Sequence, residues 1–353
     1  RWTIIRDQAQ LLAATPQGDL LLDSDAGGNF RRVLRLDRDN VLHTVHADPR
    51  GEADLDQVVL DPATQQPAVV SYRSTVAATY GLGTAQPQVA AITKQFPGRD
   101  IGISIAAAAW LVSERASTLR DARWYLYDPR NGRLRRILEQ EAKVPPPPET
   151  ALARKLPFAY RASDGMQVRG FLLLPPGADP ARVPLVAQVH GGPINHFHAG
   201  DYDGIAQLLV NRGYAVFESN FRGSTGHGRD YALSPHGDYG NGRVQQDIVE
   251  GVRYLLAQGI GDKERVGIVG HSFGGYSTLL GVTFQPELFK VGVAGAPPAD
   301  FGWSMHWLHE FGSQGARPDR SLTAQLRQLW VDVDDAARYA QLRAQSPLAN
   351  AGK

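Results

Sequence analysis

The segment Gly270-His271-Ser272-Phe273-Gly274 fits G-x-S-x-G, the spacing that holds a serine at the tip of a tight turn between a strand and a helix. Glycine is common in this chain, 37 of 353 residues, so the pentapeptide alone is a weak signal. Its surroundings strengthen it. Arg265–Val269 reads as a strand and Phe273–Thr283 as a helix, which is the setting a nucleophile elbow needs. Gly270 and Gly274 remove side chains that would collide across the turn, and Gly275 extends the clearance. The helix N-terminus favours negative charge developing beside Ser272.

Attack by a serine also requires donors for the oxyanion it creates. The backbone N–H of Phe273, the residue after the serine, is one. The second is expected in the loop after an earlier strand, and Leu185–Val189 runs directly into His190-Gly191-Gly192-Pro193. Glycine lets backbone approach a substrate and Pro193 cannot donate, so the N–H of Gly192 is the expected second donor. A plain Gly-Pro turn and a glycine-rich helix start that binds phosphate or merely packs are the blander readings. Two motifs in the right order, each after a strand, argue against both.

Other chemically capable residues have structural readings. His271 adjoins Ser272, but neighbours on an elbow point to different sides. His306 and His309 lie in the aromatic-rich stretch Trp303–Phe311, which suits a pocket wall or core better than a general base. Asp332, Asp334 and Asp335 fit the solvated start of a helix, and His190 is expected to shape its loop through a hydrogen bond. His196, His198 and Asp201 share one loop without a second cluster, so no metal is expected there. Arg222 has the chemistry to bind a substrate carboxyl or carbonyl, with a structural salt bridge as the expected role.

Two kinds of pattern position these residues. Up to about residue 140 the chain reads as β structure. Three hairpins stand out: Arg31–Leu36 with Val41–His46, Leu55–Leu60 with Pro67–Tyr72, and Arg123–Tyr127 with Arg133–Leu138. Further strands are expected at Gly18–Leu22, Ile101–Ala106 and Ala109–Ser113, a helix at Val89–Gln95, and a strand at the opening Arg1–Ile5. The pattern suggests a repeated four-stranded blade, with a plain β-sandwich as the alternative. The run Pro145–Pro148 is a stiff connector, which divides the chain into 1–144 and 145–353. Beyond it strands alternate with helices: Leu185–Val189, helix Ile205–Val210, Tyr214–Glu218, helix Arg243–Gln258 with Ile248, Val249, Val252, Leu255 and Leu256 on one face, then Arg265–Val269 and Val291–Ala294. That alternation predicts a mostly parallel sheet covered on both faces.

Composition narrows the function classes. With 37 Lys+Arg against 36 Asp+Glu, there is no basic excess to neutralise phosphates, so a nucleic-acid partner is not expected. Zero Cys excludes a disulfide framework, Cys-ligated zinc, an iron–sulfur cluster and a cysteine nucleophile. The longest uncharged apolar stretch, Ile101–Val112, is too short to span a bilayer, so no membrane partner is expected. No charged-then-apolar leader opens the sequence and no initiator Met is present. A signal peptide can therefore be neither found nor excluded; the expectation is a soluble protein, with the cytoplasm slightly favoured over the periplasm or secretion.

The segments Val189–Pro193, Asn220–Gly228 and Gly270–Tyr276 together resemble the prolyl oligopeptidase family of serine peptidases, in its acylaminoacyl-peptidase and dipeptidyl-aminopeptidase-like branch. The resemblance extends to Tyr125–Gly132, Ser163-Asp164-Gly165 and Ser346-Pro347-Leu348. It implies an α/β-hydrolase domain preceded by a β-propeller that admits short peptides rather than folded proteins, and a mechanism without metal or organic cofactor. In such a domain the triad acid and base follow the serine on later strand-end loops, and the stretch resembling Ser346–Lys353 precedes both. The expectation is therefore a partial propeller of about two to three blades, a hydrolase domain lacking its last strands, and a fragment inactive alone. An esterase or lipase on the same fold, or a non-catalytic binding protein built on the blades, are the alternative functions.

Overall fold

The computed structural model of the chain describes residues 9–137, 145–193, 195–312 and 335–352. They fall into two compact units, Arg1–Arg154 with Ala199–Gly204 and Thr225–Arg229, and Lys155–His198 with Ile205–Ser224 and Asp230–Lys353.

The first unit consists of consecutive antiparallel meanders. Strands β1 (Gln10–Ala14), β2 (Leu20–Ser24), β3 (Arg32–Leu36) and β4 (Leu42–His46) form one sheet in chain order. A second holds β5 (Asp54–Leu60), β6 (Pro67–Arg73) and β7 (Ala77–Gly81). Helix α1 (Gln86–Thr93) leads to a third, with β8 (Asp100–Ile105), β9 (Trp110–Arg115), β10 (Arg123–Asp128) and β11 (Arg133–Ile137). The three hairpins expected from turn residues all pair as such. The strand expected at Arg1–Ile5 lies outside the described residues.

Period-two alternation explains how the sheets hold together. In β6, Val69 joins Ile101, Ile103 and Val112 in one apolar cluster, while its neighbour Val70 joins Val33, Leu55 and Tyr72 in another. Successive side chains of a strand point to opposite faces, so the middle sheet is covered on both. The proline run falls inside this unit, which continues to Arg154. The reason is electrostatic: beyond the prolines, Glu149 is bound by Arg99 at 2.6 Å, Arg123 at 2.7 Å and the Thr118 hydroxyl at 2.8 Å. The segment Thr225–Arg229 is attached here as well. The Asp54 carboxylate accepts from Gly228 N at 2.9 Å, Asp54 N donates to Gly226 O at 3.1 Å, and Arg229 N donates to Asn29 O at 2.8 Å.

The second unit contains β12 (Leu156–Arg161), β13 (Gln167–Leu173), β14 (Leu185–Val189), α2 (Gly204–Asn211), β15 (Ala215–Asn220), α3 (Arg229–Leu233), α4 (Arg243–Ala257), β16 (Val266–His271), α5 (Phe273–Phe284), β17 (Val291–Gly295), α6 (Phe301–Gly312) and α7 (Ala336–Ala344). Its sheet has the order β12-β13-β15-β14-β16-β17, antiparallel at β12–β13 and β13–β15 and parallel thereafter. Strand β14 is buried along its whole length, as an apolar run covered on both faces must be. The apolar stripe of α4 is buried at Ile248, Val249, Val252 and Leu255. The chain leaves β14 toward β15 and re-enters on the other side of β14 at β16, so the loops after β14 and β16 open at one edge of the sheet. Among the described residues no strand pairs with the outer edge of β17, and no helix is long and apolar enough to cross a membrane.

Arg222 ties this edge to the rest of the unit. Its Nε and Nη2 donate to the two oxygens of Asp247 on α4 at 2.8 and 2.7 Å, its backbone N donates to the same carboxylate at 2.8 Å, and its Nη1 donates to Asp164 in the β12–β13 turn at 2.7 Å. Every face of the guanidinium fork that reaches a carboxylate is thus committed to structure, which is the role expected for it. Burial works against the charge, but the hydrogen bonds that Arg222 donates to Asp247 and Asp164 outweigh it and raise the Arg222 pKa. The same bond from Arg222 holds Asp164 below its ordinary 3.8.

Arg222→Met is expected to cost about 3–5 kcal/mol, because it strands a buried carboxylate at Asp247. Arg222→Met/Asp247→Leu is expected to cost less than the single change in urea unfolding. A depressed folded pKa means that Asp164 stabilises the fold above its unfolded value and loses that contribution as pH falls through the folded one. The stability gap between the parent and Asp164→Asn is therefore expected to be widest at neutral pH and to close below about pH 4. A gap independent of pH would show that the carboxylate charge contributes nothing.

Candidate active site

Ser272 sits at the junction between β16 and α5 with φ +57° and ψ −120°. Positive φ is rare for a residue with a side chain and is sustained only where surroundings fix it. Two backbone bonds do so: Ser272 N donates to Gly295 O on β17 at 2.9 Å, and Tyr276 N donates to Ser272 O at 2.9 Å, opening the helix.

The glycines around the serine answer to close backbone approach. A Cβ at Gly270 would lie 2.3 Å from the carbonyl carbon of Gly274. A Cβ at Gly274 would lie 2.1 Å from the carbonyl oxygen of Val189, at the end of β14. The clearance at Gly274 therefore admits the neighbouring strand, in addition to the turn itself. Both separations are impossible for real side chains, so the motif is required by packing. The ring of Phe273 is buried beneath the turn among Phe221, Tyr239, Tyr276 and Phe301, with centroid separations of 5.6, 6.0, 5.8 and 5.6 Å. Its backbone stands at the first position of α5, where N–H groups lack helical acceptors.

The loop after β14 passes directly over this turn. An ideal Cβ on Gly191 would sit 3.5 Å from the Ser272 Cβ and 3.2 Å from His271 O. Gly192 follows with φ +119° and a cis peptide bond to Pro193. The chain thus brings together Ser272 and the Gly191 backbone, which lie far apart in sequence but adjoin because β14 and β16 are sheet neighbours in register from Leu185↔Val266 to Val189↔Gly270.

His190 shapes the loop as expected, and its tautomer follows from its partners. Its Nδ1 is 2.7 Å from Gly191 O and its Nε2 is 2.8 Å from Ser224 Oγ. A carbonyl only accepts, so Nδ1 carries a proton, and Nε2 pairs with the Ser224 hydroxyl. The ring stacks on Phe221 at 4.3 Å and 19°.

The remaining candidates go elsewhere. The His271 ring lies against β17, where its Cδ2 would be 3.0 Å from a Cβ on Gly295. On α6, His306 Nε2 is 3.2 Å from Glu310 and its ring is 5.9 Å from that of Tyr339 on α7. The His309 side chain, Asp332 and Asp334 lie outside the described residues. Asp335 caps α7 by accepting from Ala337 N and Arg338 N, each at 3.0 Å. His198 and Asp201 have different partners. Asp201 belongs to the first unit and pairs with Arg73 at 3.4 Å, whereas His198 is buried in the second.

Sequence reasoning did not single out the buried polar group beneath His198. Glu218 on β15 is fully buried and pairs with Lys155 at 2.7 Å. The His198 Nδ1 is 3.7 Å from the other oxygen of Glu218, too long for a hydrogen bond. Burial, then the neighbouring His190 and Lys155, hold the His198 pKa well below the usual histidine range, so the ring is neutral. Asn220, also fully buried, accepts from His198 N at 2.7 Å and donates to His198 O at 2.9 Å. The available signal was the polar triplet Glu218-Ser219-Asn220 closing an apolar strand.

The model of the prolyl oligopeptidase family matches residues 201–348. The chain is 36% identical over 202 residues to a dipeptidyl aminopeptidase BIII of Pseudoxanthomonas mexicana, covering 52% of this chain and 29% of that protein. It is 29% identical over 274 residues to dipeptidyl peptidase family member 6 of Caenorhabditis elegans, covering 70% of this chain and 35% of that one. Among solved structures, a puromycin-hydrolyzing peptidase of Mycobacterium tuberculosis superposes with a TM-score of 0.74 at 19% identity, over 97% of this chain and 52% of that one. An acylaminoacyl peptidase of Pyrococcus horikoshii gives 0.66 at 20% identity, over 97% and 51%. The chain spans about a third of these curated relatives and about half of these solved structures. The second unit has the α/β-hydrolase fold, and residues 201–348 of the chain match the model of the prolyl oligopeptidase family.

Proposed function

We propose that the protein is a serine peptidase that cleaves short peptides through an acyl-enzyme on Ser272. The observation that carries this reading is the strained Ser272 backbone at a strand–helix junction, with the Gly191 backbone passing over it. The Ser272 hydroxyl oxygen attacks the substrate carbonyl, and the N–H groups of Gly192 and Phe273 hold the oxyanion that forms. Collapse of that intermediate expels the amine, and water then hydrolyses the ester on Ser272. A general base must take the Ser272 proton and return it to the leaving amine. A histidine oriented by a carboxylate is the residue type suited to that role. We assign no metal or organic cofactor to the reaction.

The meanders of the first unit are read as blades of a β-propeller that limits access by size. Support comes from their sequential strand order, from the two-sided burial of β6, and from relatives named for acting on dipeptidyl and acylaminoacyl substrates. The same elbow and loop serve ester hydrolysis, so substrate comparison decides between the two chemistries.

In the full-length protein, a fluorophosphonate is expected to label one site, and Ser272→Ala is expected to abolish labelling. Labelling that survives Ser272→Ala would remove the assignment. Acyl-peptide or dipeptidyl amides are expected to be turned over with a higher kcat/KM than short-chain esters relative to the uncatalysed rates. The opposite ranking would make the protein an esterase.

A further inference from the structure

The loop that carries Gly192 is fastened at both ends to one place, the end of β15 and the residues that follow it. At its start, His190 is held by the Ser224 hydroxyl and by stacking on Phe221. At its finish, the Asn220 amide binds His198 in both directions, accepting from its N–H at 2.7 Å and donating to its C=O at 2.9 Å. A side-chain amide used this way substitutes for a strand partner: it fixes the two peptide groups that flank the residue it grips. Glu218 lies two residues earlier on the same face of β15, beneath the His198 ring, and Lys155 neutralises it at 2.7 Å. Asn220 and Glu218 are both fully buried, so solvent does not compete for these bonds.

Between these two fastenings the chain crosses Ser272 at the distance of the Gly191 contact. Glycine imposes little direction of its own on a backbone, so the aim of the Gly192 N–H depends on how the loop around it is held. We propose that Asn220 is a positioning residue for oxyanion stabilisation: by gripping the peptide groups of His198, it sets where the Gly192 N–H points. This rests on the reading of Ser272 as nucleophile. Asn220 touches no reacting atom, and its effect passes through the loop.

The test uses the full-length protein with Asn220→Ala and Asn220→Asp. Alanine removes both bonds to His198. Aspartate keeps the acceptor for His198 N and places a charge beside His198 O in place of the donor. Each folded variant is expected to lose about 10- to 100-fold in kcat, the scale set by a misplaced oxyanion donor. KM for the peptide substrate is expected to stay within about twofold. Affinity for a peptidyl boronate, which forms a tetrahedral adduct on Ser272, is expected to fall by the same factor as kcat, while affinity for the product peptide is unchanged. Unchanged kcat in a folded variant overturns the proposal. So does a parallel loss of kcat and product affinity, or failure of both variants to fold, since each assigns Asn220 a general structural role. If the unsubstituted protein shows no Ser272-dependent labelling, the acyl-transfer reading itself falls and takes this one with it.

Discussion

Ser272 holds φ +57° and ψ −120°, a conformation that costs a residue with a side chain about 1–3 kcal/mol. The surrounding chain over-determines it. Strand β17 supplies an acceptor for the Ser272 N–H, the first turn of α5 uses its carbonyl, and β14 comes so close that only glycine fits at position 274. The sheet order β15-β14-β16-β17 follows from the same requirement. It sets β14 and β17 on either side of the strand that carries the serine, so that their ends can brace the turn. The aromatic group of Phe221, Phe273, Tyr276 and Phe301 fills the space below and leaves the turn no room to relax.

A second layer of interactions fixes what the turn faces. The polar end of β15 lies fully buried, which is tolerable because each charge there has a partner: Glu218 has Lys155, and Arg222 has Asp247 and Asp164. From the same stretch, Asn220, Phe221 and Ser224 hold the loop after β14, and Arg222 ties the stretch to α4 and to the β12–β13 turn. The segment that follows, Thr225–Arg229, leaves the unit and is bound by Asp54 and Asn29 in the other. One continuous stretch from Glu218 to Arg229 therefore contributes in turn to the loop beside the serine, to the core of the second unit and to the β-rich unit.

Much of this was legible because it is local. The Asp-Pro and Asn-Gly turns fixed the hairpins, the spacing in α4 fixed its buried face, and the G-x-S-x-G context located the turn to the residue. What escaped depends on contacts between distant positions. Asn220 reaches His198, and Lys155 reaches Glu218, across separations that no periodicity encodes. The proline run marked stiffness in the chain but carried no information about Glu149, whose ties to Arg99 and Arg123 extend the first unit past it. His196, His198 and Asp201 are neighbours in sequence, yet His198 and Asp201 are drawn to separate partners in separate units.

The central claim is that the braced serine becomes acylated during turnover. Rapid quenching of the full-length protein with a peptide nitrophenyl ester, followed by mass spectrometry of the fragment containing Ser272, tests it most directly. The account predicts an acyl adduct on Ser272 that forms and decays at rates compatible with turnover. Steady hydrolysis with no adduct on Ser272, or with the adduct on another residue, would contradict it.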